Sequence, residues 1–285
     1  MRPNTAIALV LWSALVVAPF AQARVTRLET TNVQSPAFEG RVFAAGQYQF
    51  IEAVARGELD PRDPLNAVIV NLDRAPRNAR GKVEYTVDVR ILAPVDLAKG
   101  SRTILADIPN RGNMRVIGVL NDAPTTNTPK LDSDAGNGFL MDQGYAIIWV
   151  GWQGDVPSGA GRLTATLPIA RHEDGSPVVD IVREEFVDTG TAPTFLANLT
   201  YPGANSSGTL TVRQNERDSR QTPSDLAFSF VNSTQIRINR PSGFDSGAIY
   251  EFVYSARDPT AMGIGFAATR DVIAFLRRRA VDDAG

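Results

Sequence analysis

The chain has 285 residues, 43% of them hydrophobic and 21% charged, with a formal net charge of -2. That balance fits one large or two small globular domains, excludes a disordered or fibrous chain, and offers neither nucleic acid nor an anionic membrane surface a basic patch. Cysteine is absent and His172 is the only histidine, so disulfide stapling and a zinc site of the usual ligand set are excluded.

The N-terminus reads as an export signal. Arg2 supplies a positive start, Ala6 to Phe20 is apolar, and Ala21-Gln22-Ala23 is a small-x-small cleavage site. The apolar run is shorter than the roughly 20 residues of a membrane span. The expectation is cleavage after Ala23, a mature chain from Arg24, a periplasmic or extracellular location and no stable membrane insertion after cleavage. Three N-x-S/T triplets, at Asn198, Asn205 and Asn232, lie in a Ser/Thr/Asn-rich stretch and are read as coincidence.

Residues 24–100 are expected to form an antiparallel β layer. Val25 to Thr31, Asn66 to Leu72 and Val83 to Leu92 are rich in strand-forming residues, and Pro61, Pro64, Pro76 and Gly81 separate them. Lys82 to Ile91 alternates strictly, with Val83, Tyr85, Val87, Val89 and Ile91 on one face.

Residues 101–160 change character. Thr103 to Ile108 and Tyr145 to Val150 read as short buried strands, and Asp134 is placed to cap a helix over Ala135 to Asp142 that Gly144 ends. A strand, loop, helix, strand unit predicts parallel pairing here. Residues 161–255 return to short strands, including Arg162 to Leu167, Gly208 to Arg213 and Ile249 to Ser255, and read as a β-rich insertion. In residues 256–285, Asp258 as N-cap and Pro259 at the first position predict a helix to Arg279, with Met262, Phe266, Ile273 and Leu276 at helical spacing and Arg277, Arg278 and Arg279 at its C-terminus.

Two loops carry the candidate chemistry. Asn110-Arg111-Gly112 follows a buried strand, and its glycine lets backbone amides turn toward one point, as an oxyanion donor requires; taken alone, the triplet is also an ordinary turn. Trp152-Gln153-Gly154 leaves the second strand at the end where ligands collect in open α/β sheets, and is the candidate pocket wall. Trp149 and Trp152 fit core and rim packing equally well. Gly263-Ile264-Gly265-Phe266-Ala267-Ala268 has dinucleotide-loop spacing but lies inside a helical pattern, where glycines serve close packing. Asp132-Ser133-Asp134 begins like a calcium loop, yet Gln143 stands where the bidentate Glu belongs, so no metal is expected.

Several phrases together resemble the bacterial α/β-hydrolase domain-containing proteins: Gly57 to Pro61, Pro76 to Gly81, Val83-Glu84-Tyr85, Asp107 to Asn113, Gly136 to Leu140, Gly144 to Val156, Ala248 to Tyr250, Arg257-Asp258-Pro259 and Gly265 to Asp271. The resemblance implies an α/β fold class: the N-terminal part of an α/β-hydrolase-like sheet with a large β-rich N-terminal layer and a β-rich insertion, an incomplete domain. It also implies serine-esterase-like chemistry on a small-molecule ester, without cofactor. In that family a strand and a G-x-S-x-G elbow follow the helix that Asp258 opens here, and an acid and a histidine come later. No G-x-S-x-G occurs in this sequence, and His172 precedes the expected elbow in a polar turn. Ser158, Ser242 and Ser246 lack elbow spacing. The chain as it stands is therefore expected to be inactive, and the apolar surface left by the missing half to make it poorly soluble or marginally stable. The rival is a non-catalytic secreted module that holds a glycan or a protein through exposed aromatics.

Overall fold

A computed structural model describes residues 24–157, 159–278 and 281–284. The expected export signal over residues 1–23, Ser158 and Arg279 lie outside them. The described chain is β-rich, with several sheets and few helices.

The largest sheet contains β1 (Val25–Gln34), β2 (Val42–Phe43), β3 (Gly46–Leu59), β4 (Val83–Pro94), β5 (Ile104–Asp107), β6 (Ala146–Val150) and β7 (Ala165–Thr166). Helices α1 (Val116–Leu120) and α2 (Phe139–Asp142) connect β5 to β6. The strand order is β1-β3-β4-β6-β5, with β2 paired to β3 and β7 to β4. Among the described residues only β5 and β6 pair in parallel, as a strand-helix-strand crossover requires. Strands β1, β3 and β4 of residues 24–100 pair antiparallel and are hydrogen-bonded into the same sheet as the parallel pair.

Strands β3 and β4 pair from Tyr48 opposite Pro94 to Leu59 opposite Val83. Their buried face changes along the way. Tyr48, Phe50 and Leu92 enter one core with α1 and α2, while Ala53, Ala55, Leu59, Val83, Tyr85, Val87 and Val89 enter another. Because side chains alternate across a strand, the switch shifts the buried set of β3 from even to odd positions.

Between β7 and the last helix lies a sandwich of two three-stranded sheets. One joins β8 (Val179–Phe186), β13 (Ile249–Arg257) and β10 (Gly203–Arg213); the other joins β9 (Thr194–Asn198), β12 (Gln235–Asn239) and β11 (Ala227–Asn232). The two share a core in which Ile236, Ile238, Tyr250, Phe252 and Tyr254 are buried and Phe195, Phe228 and Phe230 pack against them. Helix α3 (Ile264–Arg278) follows and covers the β4 side with Ile264, Ala267, Ala268, Val272 and Phe275.

Five sequence expectations are corrected. Asn66 to Leu72 is not a strand but consecutive turns, with Ile69 N–H donating to Asn66 O (3.0 Å) and Leu72 N–H to Ile69 O (3.2 Å); Val68 and Val70 are left exposed, and of the segment's hydrophobic residues only Leu72 is buried. The helix over Ala135 to Asp142 is broken. A 3-10 turn (Asp132–Ala135) and α2 flank Gly136 (φ 57) and Gly138 (φ 81), whose positive φ values interrupt helical geometry. Asp258 does not cap α3: its own φ is 55, and its carboxylate sits between Arg171 (2.6 Å) and Arg257 (2.7 Å). Phe266 is not on the buried stripe of α3 but 67% exposed. Of Arg162 to Leu167, only Ala165 and Thr166 are strand.

Candidate functional site

The site is built where β5 and β6 end. Asp107, the last residue of β5, gathers three donors on one carboxylate oxygen: Arg115 N–H and Val116 N–H at 3.0 Å each and the Trp149 indole N–H at 2.7 Å. One side chain therefore fixes the start of α1 and a fully buried tryptophan of β6. The loop between is closed by reciprocal backbone bonds of Asn110 and Asn113, 3.1 Å each. Arg111 (φ 51) and Gly112 (φ 78) both take left-handed conformations. At Gly112 only hydrogen fits, because a Cβ would stand 2.6 Å from the Leu163 carbonyl oxygen. Buried Asn127 holds the far side, accepting from Met114 N–H (2.9 Å) and donating to Asn113 Oδ1 (3.0 Å) and Ala160 O (2.9 Å).

The second loop docks on the first. Trp152 donates its indole N–H to Pro109 O (2.9 Å), and Gln153 Oε1 accepts from Arg111 N–H (3.1 Å). The Arg111 guanidinium donates to the carboxylate of Asp155 (2.8 Å) and to its carbonyl (3.0 Å). Helix α3 joins from the side. Its Gly265 lies directly against the Trp152 carbonyl, and the Phe266 ring lies 5.0 Å from the Trp152 ring, centroid to centroid.

The two expected segments are therefore brought together, with their members differently employed. Asn110 and Arg111 have their amides committed, to Asn113 and Gln153. Gly112 is buried, and its N–H meets no acceptor among the described residues. Gln153 faces the Asn110–Gly112 loop rather than open space, Trp152 is rim rather than core, and Gly154 is exposed beside Leu167. Trp149 is core. Sequence reasoning missed Asp107, Asn127, Asp155 and Phe266 as parts of the site. An acid at the last position of a mostly apolar strand, just before Ile-Pro, was the available signal for Asp107, although β5 itself is not buried as the sequence suggested.

Other candidates lie apart. His172 is exposed in a hairpin, its N–H on Ser176 O (3.0 Å), and lines a cleft of about 1110 Å³ with Asp73, Arg74, Arg77, Arg171 and Ser176. Neither site loop lines that cleft. Ser242 N–H donates to Asp225 (2.8 Å), and among the described residues no serine hydroxyl is hydrogen-bonded to a histidine. Asp134 spends one carboxylate oxygen on Lys130 N–H (2.7 Å) and Leu131 N–H (2.9 Å), which is turn capping. Among the described residues no group of three or more His, Cys, Asp or Glu is arranged to hold a metal ion, and no helix is long and apolar enough to cross a membrane. The chain matches no protein-family model and, at a significant level, no curated protein.

Proposed function

We propose that these residues form the oxyanion side of an exported α/β-hydrolase that cleaves a carboxylic ester or related acyl bond through an acyl-serine intermediate. The substrate is a small-molecule ester, and the chemistry needs no metal or organic cofactor. The observation that carries this reading is the open side of the sheet at β5. Among the described residues strand β5 pairs only with β6, and Ile104 at its start and Ile108 just past its end stay 36% and 52% exposed. Parallel strands buried on both faces are the rule in α/β sheets. A crossover from α3 that added a parallel strand beyond β5 would cover this surface and bring the new strand's carboxyl end beside the Asn110–Gly112 loop.

In this reading a serine at that strand end attacks the ester carbonyl while a histidine takes its proton. The oxyanion accepts the Gly112 N–H, the alcohol leaves with the proton, and water repeats the sequence on the acyl-enzyme. These 285 residues contain no G-x-S-x-G, so the reading places nucleophile, acid and base on no residue of this sequence. The rival glycan-binding module has less support, because most aromatics of the sandwich, Phe195, Phe228, Phe230, Tyr250, Phe252 and Tyr254, pack into its own core.

The test compares purified residues 24–285 with the same chain extended by its own downstream reading frame. The shorter chain is expected to show no p-nitrophenyl ester turnover and no fluorophosphonate labelling; the longer, carrying an apolar strand, G-x-S-x-G and a later histidine, gains both. A downstream frame without an elbow, or stoichiometric labelling of a serine in residues 24–285, overturns the reading.

A further inference from the structure

Strand β1 is an edge of the largest sheet: among the described residues it pairs with β3 and with no other strand. Its register runs unbroken from Arg27 to Thr30, between shifts at Val25/Arg27 and Thr30/Asn32. Thr26 and Thr31 stand at those shifts and donate their hydroxyls to Arg56 O (3.2 Å) and Glu52 O (3.1 Å). An edge of this kind offers unpaired backbone groups to any extended chain.

Here the groups are covered from within the molecule. Asp283 N–H donates to Thr26 O (2.9 Å), and Leu28 N–H donates to Asp282 Oδ2 (2.8 Å). Asp282 Oδ1 accepts from Ala284 N–H (2.9 Å), and the Asp283 carboxylate lies 3.3 Å from the Arg24 guanidinium. Residues 281–284 therefore run along β1 as a partial strand, with one carboxylate standing in for a carbonyl. Val281 is 73% exposed, so it adds no apolar anchor. Two hydrogen bonds to the β1 backbone and an exposed ion pair hold the segment, which is weak beside a full strand ladder.

The covered edge is complementary to itself. Thr26 O and Leu28 N–H face away from β3, so by the period of two the outward backbone groups belong to Thr26, Leu28 and Thr30. With a second copy running antiparallel and Leu28 opposite Leu28, Thr26 and Thr30 make the flanking hydrogen-bonded pairs. Arg27 then falls opposite Glu29 on both sides of the two-fold axis, in the positions where side chains come closest. Leu28 packs toward the core under α3, which leaves Arg27 and Glu29 together on the opposite, exposed face, 3.8 Å apart within one molecule. The neighbouring registers centre on Arg27 or on Glu29 and set like charges against each other, which is unfavourable.

We propose that β1 is a pairing edge for a second copy of this chain, in the register centred on Leu28, and that residues 281–284 guard it in the single molecule. Seated, the segment occupies the same Thr26 and Leu28 groups that the second copy needs; displaced, it lets one sheet continue through both copies. Neither the pairing nor the guard depends on the hydrolase reading.

Sedimentation velocity of residues 24–285 over a range of concentrations tests both. All forms carry Ile104→Lys and Ile108→Lys, so that the open edge at β5 takes no part. With the guard intact the chain is expected to stay monomeric. Asp282→Ala with Asp283→Pro, which removes the carboxylate and the N–H that hold the segment, is expected to dimerise about tenfold more tightly. In that guard-free form Arg27→Glu is expected to weaken the dimer about fivefold, and Arg27→Glu with Glu29→Arg to restore it. Should the double change unfold the chain, Asp282→Ala alone is expected to give the same order. A folded guard-free form that stays monomeric at every concentration overturns the pairing, and so does association that Arg27→Glu leaves unchanged. A guarded chain that dimerises as tightly as the guard-free form overturns the guard.

Discussion

Replacing Gly265 by alanine tests how α3 is seated on the site. In an ordinary helix interior the change stabilises by about 1 kcal/mol, because alanine loses less backbone entropy. Here the added Cβ would stand 1.8 Å from the Trp152 carbonyl oxygen, 2.8 Å from its carbonyl carbon and 3.3 Å from its Cα. All three are backbone atoms, so no side chain can rotate aside. To reach ordinary contact the helix must withdraw by about 1.5 Å, which loosens Ala267, Ala268 and Val272 in the core they share with Val83, Tyr85 and Val87. Overpacking of this kind costs about 3 kcal/mol, and after the propensity gain the net loss is about 2 kcal/mol. Urea unfolding should show a lower midpoint at unchanged slope, and the melting temperature should fall by about 4–8 °C for a chain of this size. Tryptophan emission should change as well, since Trp152 and Phe266 part. A Gly265→Ala protein as stable as the wild type, or more so, would refute the close seating of α3 on Trp152.

Glu58 and Asp271 should give opposite pH dependences. At Glu58 burial raises the pKa, but hydrogen bonds from Arg80, Arg24 and Asn78 outweigh it and the carboxyl lies below the usual range. Its stabilisation is present above the unfolded-state pKa and is lost as pH falls through the folded one. Glu58→Gln should cost about 2 kcal/mol at neutral pH, with the gap to wild type closing in acid. At Asp271 burial dominates and raises the pKa against the hydrogen bonds of Arg270 and Tyr85. The folded form then holds its proton longer than the unfolded chain, so stability falls as pH rises from the ordinary carboxylate range through the raised value; Asp271→Asn should flatten that limb of the stability curve. Asp107→Ala strands the buried Trp149 indole N–H and should cost about 2–3 kcal/mol in denaturant unfolding, whereas Asp107→Asn, which keeps an acceptor, should cost less. The double variant Ile104→Lys, Ile108→Lys should reduce concentration-dependent light scattering without lowering the melting temperature by more than about 1 °C, since both positions are exposed at an open edge.

The elements legible in the sequence were those with one pattern from end to end. Strand β4 shows strict alternation over Val83, Tyr85, Val87 and Val89, all buried, and the β5–β6 pair is bounded by turn residues. Strand β3, among the longest, gave no clean period because Tyr48 and Phe50 face one core while Ala53 and Ala55 face the other. Asn66 to Leu72 misled in the opposite sense: strand-forming Val68 and Val70 point to solvent from a series of turns. In α3 the seam is made of Gly265, Ala267 and Ala268, because the helix sits close to backbone, and the large Phe266 is left outside. A hydrophobicity pattern weights size, so it put Phe266 on the buried stripe, whereas Leu276 of the same stripe does pack against the core. Both candidate loops were read from turn chemistry and strand ends, but their contact with each other was not. Arg111 N–H reaches Gln153 across 42 positions, and Asp107 reaches Trp149 across the same separation; nothing local encodes either contact.

Those long-range contacts also determine what the site can do. With Asn110 and Arg111 committed to Asn113 and Gln153, the loop cannot turn a second amide toward a ligand without losing a bond that docks it on the Trp152 loop. Gly112 is different: its position excludes any side chain, its carbonyl is tied to Leu163 N–H (2.9 Å), and its N–H is uncommitted among the described residues. A donor held this way requires no reorganisation when charge develops opposite it, which is the condition under which a hydrogen bond contributes most to a transition state. Oxyanion holes commonly pair such an amide with the one that follows the nucleophile.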